Sequence, residues 1–165
     1  VILYYLEEKP GLDLRLERSS DGASGYDVQA AIDMPREIAP GGRWLGSTGL
    51  YLAMPKGVEA QVRSRSGMAL HHGIFVLNAP GTIDSDYRGE CRVLLQNADR
   101  ERPYVVHPGD RIAQIVFAPT MQLFATRGYR DSVMAPHFWE PYRVESKDKL
   151  GITDRGASGH GSTGR

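Results

Sequence analysis

Glycine and proline fall together at five points along this chain: Pro10-Gly11, Pro40-Gly41-Gly42, Pro55-Lys56-Gly57, Pro80-Gly81 and Pro108-Gly109. Each is a turn signal, because proline presets φ at one turn position and glycine accepts the positive φ that another requires. With 19 glycines and 10 prolines in 165 residues, little room remains for long helices. Between the turns, apolar residues alternate or form short runs. They predict strands over Ile2–Leu6, Leu12–Leu16, Tyr26–Ala31, Gly49–Ala53, Val58–Arg63, Ile74–Leu77, Cys91–Gln96, Tyr104–Val106 and Arg111–Phe117. The one helical segment is short, Gly67 to His72. Many short, evenly spaced strands predict an all-β sandwich or barrel with one short helix.

The length suits one domain with a sizeable core. Twenty basic and twenty acidic side chains balance, which argues against the basic surface of a general nucleic-acid binder. No apolar run approaches the roughly 20 residues of a membrane helix, and no signal-peptide pattern opens the chain. Neither nucleic acid nor membrane is therefore an expected partner. Val1 is not methionine, so the native start is expected to be trimmed or missing. Cys91 is the only cysteine, which excludes an internal disulfide and any CxxC metal site. A reduced intracellular setting, most simply the cytoplasm, is the matching expectation. The phosphate-binding GxxxxGK[ST], the zinc-protease HExxH and the nucleophile-elbow GxSxG patterns are absent.

Five segments carry the candidate chemistry. Asn78–Glu90, NAPGTIDSDYRGE, is expected to form a β-hairpin with a Pro-Gly bend, since the apolar run Gly73–Leu77 precedes it and Thr82-Ile83 begins a second strand. Ile83 and Tyr87 would share one face of that strand, with Asp84 and Asp86 on the other. Exposed main-chain groups of such a turn can read the edge of a planar base. Val62–Leu70, VRSRSGMAL, leads Arg65, Ser66 and Gly67 into the helix. Its unpaired N–H groups favour an anion, but Ser66 as a plain N-cap with the arginines in surface pairs fits equally well. In SGYDVQ, Asp27 follows Tyr26 on an early strand. In GDRIAQIVFAP, Gln114 interrupts an apolar strand; a buried amide needs partners, so it is either a structural hydrogen-bonder or a ligand contact. Arg155–Arg165, RGASGHGSTGR, has four glycines and no large apolar residue. It can build no core and is expected to be mobile alone, yet glycine backbone lies close against phosphate oxygens and arginine adds charge.

In order along the chain, SGYDVQA, RSRSGMA, NAPGTIDSDYRGE, GDRIAQIVFAP and RGASGHGSTG resemble the five motifs of the trimeric dUTPases, the deoxyuridine triphosphate nucleotidohydrolases. The resemblance implies a jelly-roll-like β fold with a flexible C-terminal arm. It implies a homotrimer whose active sites lie between subunits, and hydrolysis of dUTP to dUMP and pyrophosphate. That reaction keeps uracil out of DNA and supplies dUMP for thymidylate synthesis. By resemblance, Asp84 orients and activates the attacking water. Asn78, Gly81, Thr82 and Ile83 hold uracil, and Tyr87 packs under the deoxyribose. Arg65, Ser66, Gly67 and Gln114 bind phosphates, while Arg155, Gly159, His160, Gly161, Ser162 and Thr163 belong to the arm that closes over the triphosphate. Mg²⁺ is the implied cofactor, held chiefly by substrate phosphates and water, with Asp27 touching its water shell.

Two departures accompany the match. His160 stands where the family commonly has phenylalanine over the uracil ring, although some members use histidine there. Roughly fifteen extra residues separate the fourth and fifth motifs, within 125–140. That insert is either a surface excursion whose aromatics pack down on the domain or a surface for a protein partner, as in a regulatory binding protein of this fold. A dCTP deaminase relative would need a carboxylate on the strand after the expected hairpin, and CRVLLQN has none. The expected layout is a β core over 1–119, an exchanged strand plus insert or linker over 120–154, and the glycine-rich arm over 155–165.

Overall fold

Short strands with one buried face each account for nearly all regular structure in the computed structural model, which describes residues 1–120 and 141–158. The widest sheet has five antiparallel strands in the order β2 (Glu17–Arg18), β3 (Tyr26–Gln29), β12 (Arg111–Pro119), β7 (Val58–Arg63) and β9 (Gly81–Ile83). A second sheet places β10 (Val93–Asn97) between β5 (Arg43–Gly46) and β8 (Ile74–Val76). In the third, β1 (Ile2–Leu6) lies between β6 (Leu50–Ala53) and β13 (Pro141–Arg143), pairing in parallel with β13. The pair β4 (Arg36–Ile38) and β11 (Tyr104–Val106) completes the described sheets. The helix, α1 (Ser66–His72), joins β7 to β8.

All four sheets feed one core. Ile2, Leu50 and Leu52 enter it from the third sheet, Ile74 and Leu95 from the second, Val58, Ile112 and Ile115 from the first, and Ile38 and Val106 from the last pair. On β7 the alternation is clean, with Val58, Ala60 and Val62 buried and Glu59 and Gln61 partly exposed. Burying each large aliphatic side chain contributes about 1.5–3 kcal/mol. An exposed ion pair such as Arg15–Asp13 is screened by solvent and adds little. The apolar core therefore holds the frame. After the undescribed segment, Val144 and Leu150 pack with Ala53 into a small satellite cluster against Tyr5 and Tyr51. Among the described residues no helix is long and apolar enough to cross a membrane.

The all-β class with one short helix is as the sequence predicts, and three local expectations need correction. Leu12–Leu16 is not a strand: Leu14 and Leu16 are buried, but the Arg15 amide donates to the Gln29 side chain (2.9 Å) rather than to a ladder, and pairing begins at Glu17. β4 and β5 are strands that the sequence pattern missed, because Arg36, Glu37 and Arg43 dilute their apolar signal. The segment around Pro80-Gly81 is not a hairpin. β8 pairs with β10 and β9 pairs with β7, so the bend carries the chain from one sheet to another.

Candidate active site

That crossing builds a cavity. β9 lies against β7 with Gly81 opposite Val62, which exposes the 78–83 backbone beside the sheet edge. Asn78, Gly81, Thr82, Ile83, Asp84 and Tyr87 together line a cavity of about 200 Å³. Pockets that enclose a whole ligand span roughly 300–1,000 Å³, so this one has room for only part of such a ligand.

After Ile83 the strand stops. The Tyr87 amide donates to the Asp84 carbonyl (3.1 Å), so Asp84–Tyr87 is a tight turn and the expected two-faced strand is absent. The turn leaves Asp84 half-exposed at the cavity and brings Tyr87 back beneath it. The Tyr87 hydroxyl donates to the Glu90 carbonyl (3.1 Å). Burial, above all, pushes the phenol above its ordinary value, which keeps it a neutral donor. A Cβ at Gly89 would run into the Tyr87 ring, so that position has room only for glycine.

Arg155 joins the same cavity. Its guanidinium pairs with Asp84, lies 3.5 Å from Asp86, and stands 5.7 Å from the centre of the Tyr87 ring. The root of the tail is docked on the turn: Thr153 Oγ1 donates to the Asp86 carbonyl, and the Arg88 amide donates to the Gly156 carbonyl (2.7 Å). Arg88 also spans from the carbonyls of Ser85 (2.8 Å) and Tyr87 (3.0 Å) to that of Leu150 (3.0 Å).

The other expected residues form a separate surface. Gln114 on β12 faces Asp27 of β3 on one side and Arg63 of β7 on the other, so all three share a face. Gln114 Nε2 donates to the Ser64 carbonyl (3.0 Å) and so holds the loop before α1. On that loop Arg65, not Ser66, is the N-cap, and it makes no side-chain capping bond; Ser66 is the first helical residue. Arg65 pairs with Asp27 Oδ1 (3.1 Å) and donates to the Arg111 carbonyl (3.0 Å), while Arg111 Nη1 pairs with Asp27 Oδ2 (3.1 Å). Arg65 and Gly67 line a cleft with His71, His72, Tyr104 and Arg111 that shares no residue with the first cavity.

Several residues at these sites carried no sequence assignment. Val62, Glu90 and Arg92 line the first cavity. Glu90 and Arg92 have a detectable signal, opposite charges at the i,i+2 spacing of one strand face. Arg111 does not. Three residues from Gln114, it would face the opposite side of a regular strand. A β-bulge between Arg111 and Ala113 inserts one residue and brings Arg111 round to the side of Asp27, leaving Ile112 and Ala113 both buried. Gly159, His160, Gly161, Ser162, Thr163 and the 125–140 insert lie outside the described residues. Among the described residues no cluster of three or more acidic, histidine or cysteine side chains could hold a metal by itself.

The family model for dUTPase matches residues 14–164. A deoxyuridine 5'-triphosphate nucleotidohydrolase of Chlamydia felis (strain Fe/C-56) is 41% identical over 160 residues, 97% of either chain. The crystal structure of dUTPase from Streptococcus mutans superposes with a TM-score of 0.59 at 29% identity, covering 64% of this chain and 84% of that one. A mutant dUTPase from phage phi11 of S. aureus, whose structure reveals the coordination of a structural Mg(II) ion, has the same fold (TM-score 0.57, 21% identity, 65% and 89% covered).

Proposed function

The chain belongs to the dUTPase family, and from that premise we propose that it hydrolyses dUTP to dUMP and pyrophosphate at sites completed between three copies of itself. The observation that carries this reading is the cavity in which Asn78, Gly81, Thr82, Ile83 and Tyr87 surround a slot with the Asp84 carboxylate at its edge. Main-chain groups of 78–83 take the uracil edge: close backbone excludes a 5-methyl group, and the order of donors and acceptors rejects cytosine. Tyr87 lies under the sugar and leaves no space for a 2′-hydroxyl.

The separation of the two surfaces supports the trimer. One chain offers a base cavity and, elsewhere, the Arg65–Gly67 and Gln114 segment; symmetric association sets one copy's phosphate surface beside another's cavity. Asp27 holds Arg65 and Arg111 in place, and with both its oxygens taken by guanidinium groups it reaches a metal only through water. This donor set fits Mg²⁺ carried by substrate phosphates with most of its water shell. When bound, the ion neutralises phosphate charge and orients the triphosphate for in-line attack.

Asp84 orients a water and accepts its proton as the water oxygen bonds to the α-phosphorus. The bond from that phosphorus to the α,β-bridging oxygen breaks, its electron pair leaves with pyrophosphate, and the proton passes on to solvent. Arg65, Ser66, Gly67, Gln114 and Arg155, with Gly159–Thr163 of the arm, hold the oxygens that gain charge. Arm closure excludes water and strengthens these contacts. Removal of dUTP keeps uracil out of DNA, and the dUMP serves thymidylate synthesis in an intracellular, cytoplasmic setting.

The test is pyrophosphate release from dUTP, dTTP, dCTP and UTP with Mg²⁺, alongside a solution mass. Release from dUTP alone, by a particle of three 18.2 kDa chains, is expected. Intact dUTP after incubation overturns the reading, and conversion of dCTP to a uracil nucleotide replaces it with a deaminase.

A further inference from the structure

Glu90 is a carboxylate in the cavity wall whose side chain is only 12% exposed. It has no part in the reaction above, yet it is the most heavily bonded acid of the site. Oε1 accepts from Ser47 Oγ, the Thr48 amide (2.9 Å) and the Gly49 amide (2.9 Å), and Oε2 accepts from Arg92 Nε (2.9 Å). Burial by itself would raise the carboxyl, but the bonds from Ser47, Gly49, Arg92 and Thr48 outweigh it and hold the group below the ordinary glutamate range.

The backbone of Glu90 is the other half of the device. Its carbonyl accepts the Tyr87 hydroxyl (3.1 Å), and the residue bridges Tyr51 across the strands. The next residue is pinned as well: the Cys91 amide donates to the Leu50 carbonyl (2.7 Å), and its carbonyl accepts from Thr48 Oγ1 (2.6 Å). The Tyr87 ring therefore hangs from a main-chain oxygen whose position depends on the grip of the Glu90 side chain on the Ser47–Gly49 turn. A carboxylate suits this grip because every partner is a donor. An amide of the same shape would set an N–H against a donor on one side, and buried donor–donor contacts are not tolerated without movement.

We propose that Glu90 is a specificity-determining positioning residue: by clamping the Ser47–Gly49 turn it fixes the height of the Tyr87 ring beneath the sugar and so sets discrimination against ribonucleotides. This inference rests on the dUTP reading above, in which the Tyr87 ring occupies the space that a 2′-hydroxyl needs. Glu90 touches no reacting atom, so its loss acts on fit rather than on the chemical step.

The experiment compares Glu90→Gln with the wild-type chain for dUTP and UTP, with melting temperature as a control. The expected result is kcat for dUTP nearly kept, a raised KM, and a fall of about tenfold in the dUTP-over-UTP ratio of kcat/KM, the size of one pocket contact. Ser47→Ala removes one of the four donors and should move the ratio the same way by less. Tyr87→Phe removes the tether and should lower the ratio without adding to Glu90→Gln. A folded Glu90→Gln protein with both substrates changed equally, or with the ratio intact, overturns the proposal. If that variant does not fold, an unchanged ratio in both Ser47→Ala and Tyr87→Phe overturns it instead, and a lowered one supports it. A wild-type chain inert on dUTP defeats the underlying reading and this inference with it; a wild-type chain active on dUTP with unmoved ratios defeats this inference alone.

Discussion

The cavity wall and the Asp27–Arg65 surface are built on opposite plans. In the wall Glu90 meets four donors and Tyr87 is tied to the main chain, and the adjoining Arg88 meets three carbonyls. On the other surface a single carboxylate, Asp27, holds two arginines across two strands, and the cleft beside Arg65 stays open. On the proposed reading, recognition of the base end is organised inside one chain, whereas the cationic side awaits the phosphates. The tail root stands between the two plans. The Arg155–Asp84 pair has side chains 33% and 48% exposed, so it contributes at most about 1 kcal/mol. In the proposed reaction, a pair this weak can give way to an arginine–phosphate contact.

If the two regions divide the work in this way, their variants should differ in kind as well as in size. Asp84→Asn keeps the shape of the cavity edge but removes the proton acceptor; kcat should fall by about a hundredfold or more with KM for dUTP nearly kept. Steady-state kinetics with wild-type turnover would break the assignment. On the phosphate side, effects should be smaller and appear in KM. A Cβ at Gly25 would occupy the place of Gln114 Oε1, so Gly25→Ala and Gln114→Ala both release the Ser64 carbonyl. Each should raise KM by roughly two- to tenfold, the worth of one hydrogen bond, and the double variant should be no worse than either single change. Additive losses would show that the two changes act through different contacts.

The wall should also report its charge. Because the folded state holds the Glu90 carboxyl below its ordinary range, its stabilisation is complete above the unfolded value of about 4.3. It is lost as pH falls through the lower folded value. Glutamine cannot titrate, so the melting-temperature gap between wild type and Glu90→Gln should narrow on acidification through and below pH 4; a constant gap would remove the charge from the account. The smallest expected effect is His160→Phe, where either ring can stack on a base and kcat/KM for dUTP should stay within about twofold. A large loss would assign the imidazole a polar role.

Much of this division was legible in the sequence, but unevenly. The alternation of Val58, Ala60 and Val62 gave β7, and Gln114 stood out in the apolar run of β12. Side-chain periodicity, however, reports burial and not which backbone a segment pairs with. Leu14 and Leu16 are buried without the predicted ladder, and Pro80-Gly81 links two sheets where a hairpin was expected. Glu90 lay inside a quoted motif without a role, because its partners at Ser47, Thr48 and Gly49 are more than forty residues away. Such contacts leave no local trace.

The bulge in β12 has an implication of its own. Only because the ladder skips a residue there does Arg111, three residues from Gln114, emerge on the solvent side instead of pointing inward beside Ile112. Regular pairing of the same residues, with no register shift, would turn the strand upstream of Ile112 over, leaving Asp27 with one cation to hold and a second stranded among hydrocarbon. The electrostatics of this surface are therefore governed as much by pairing register as by residue identity.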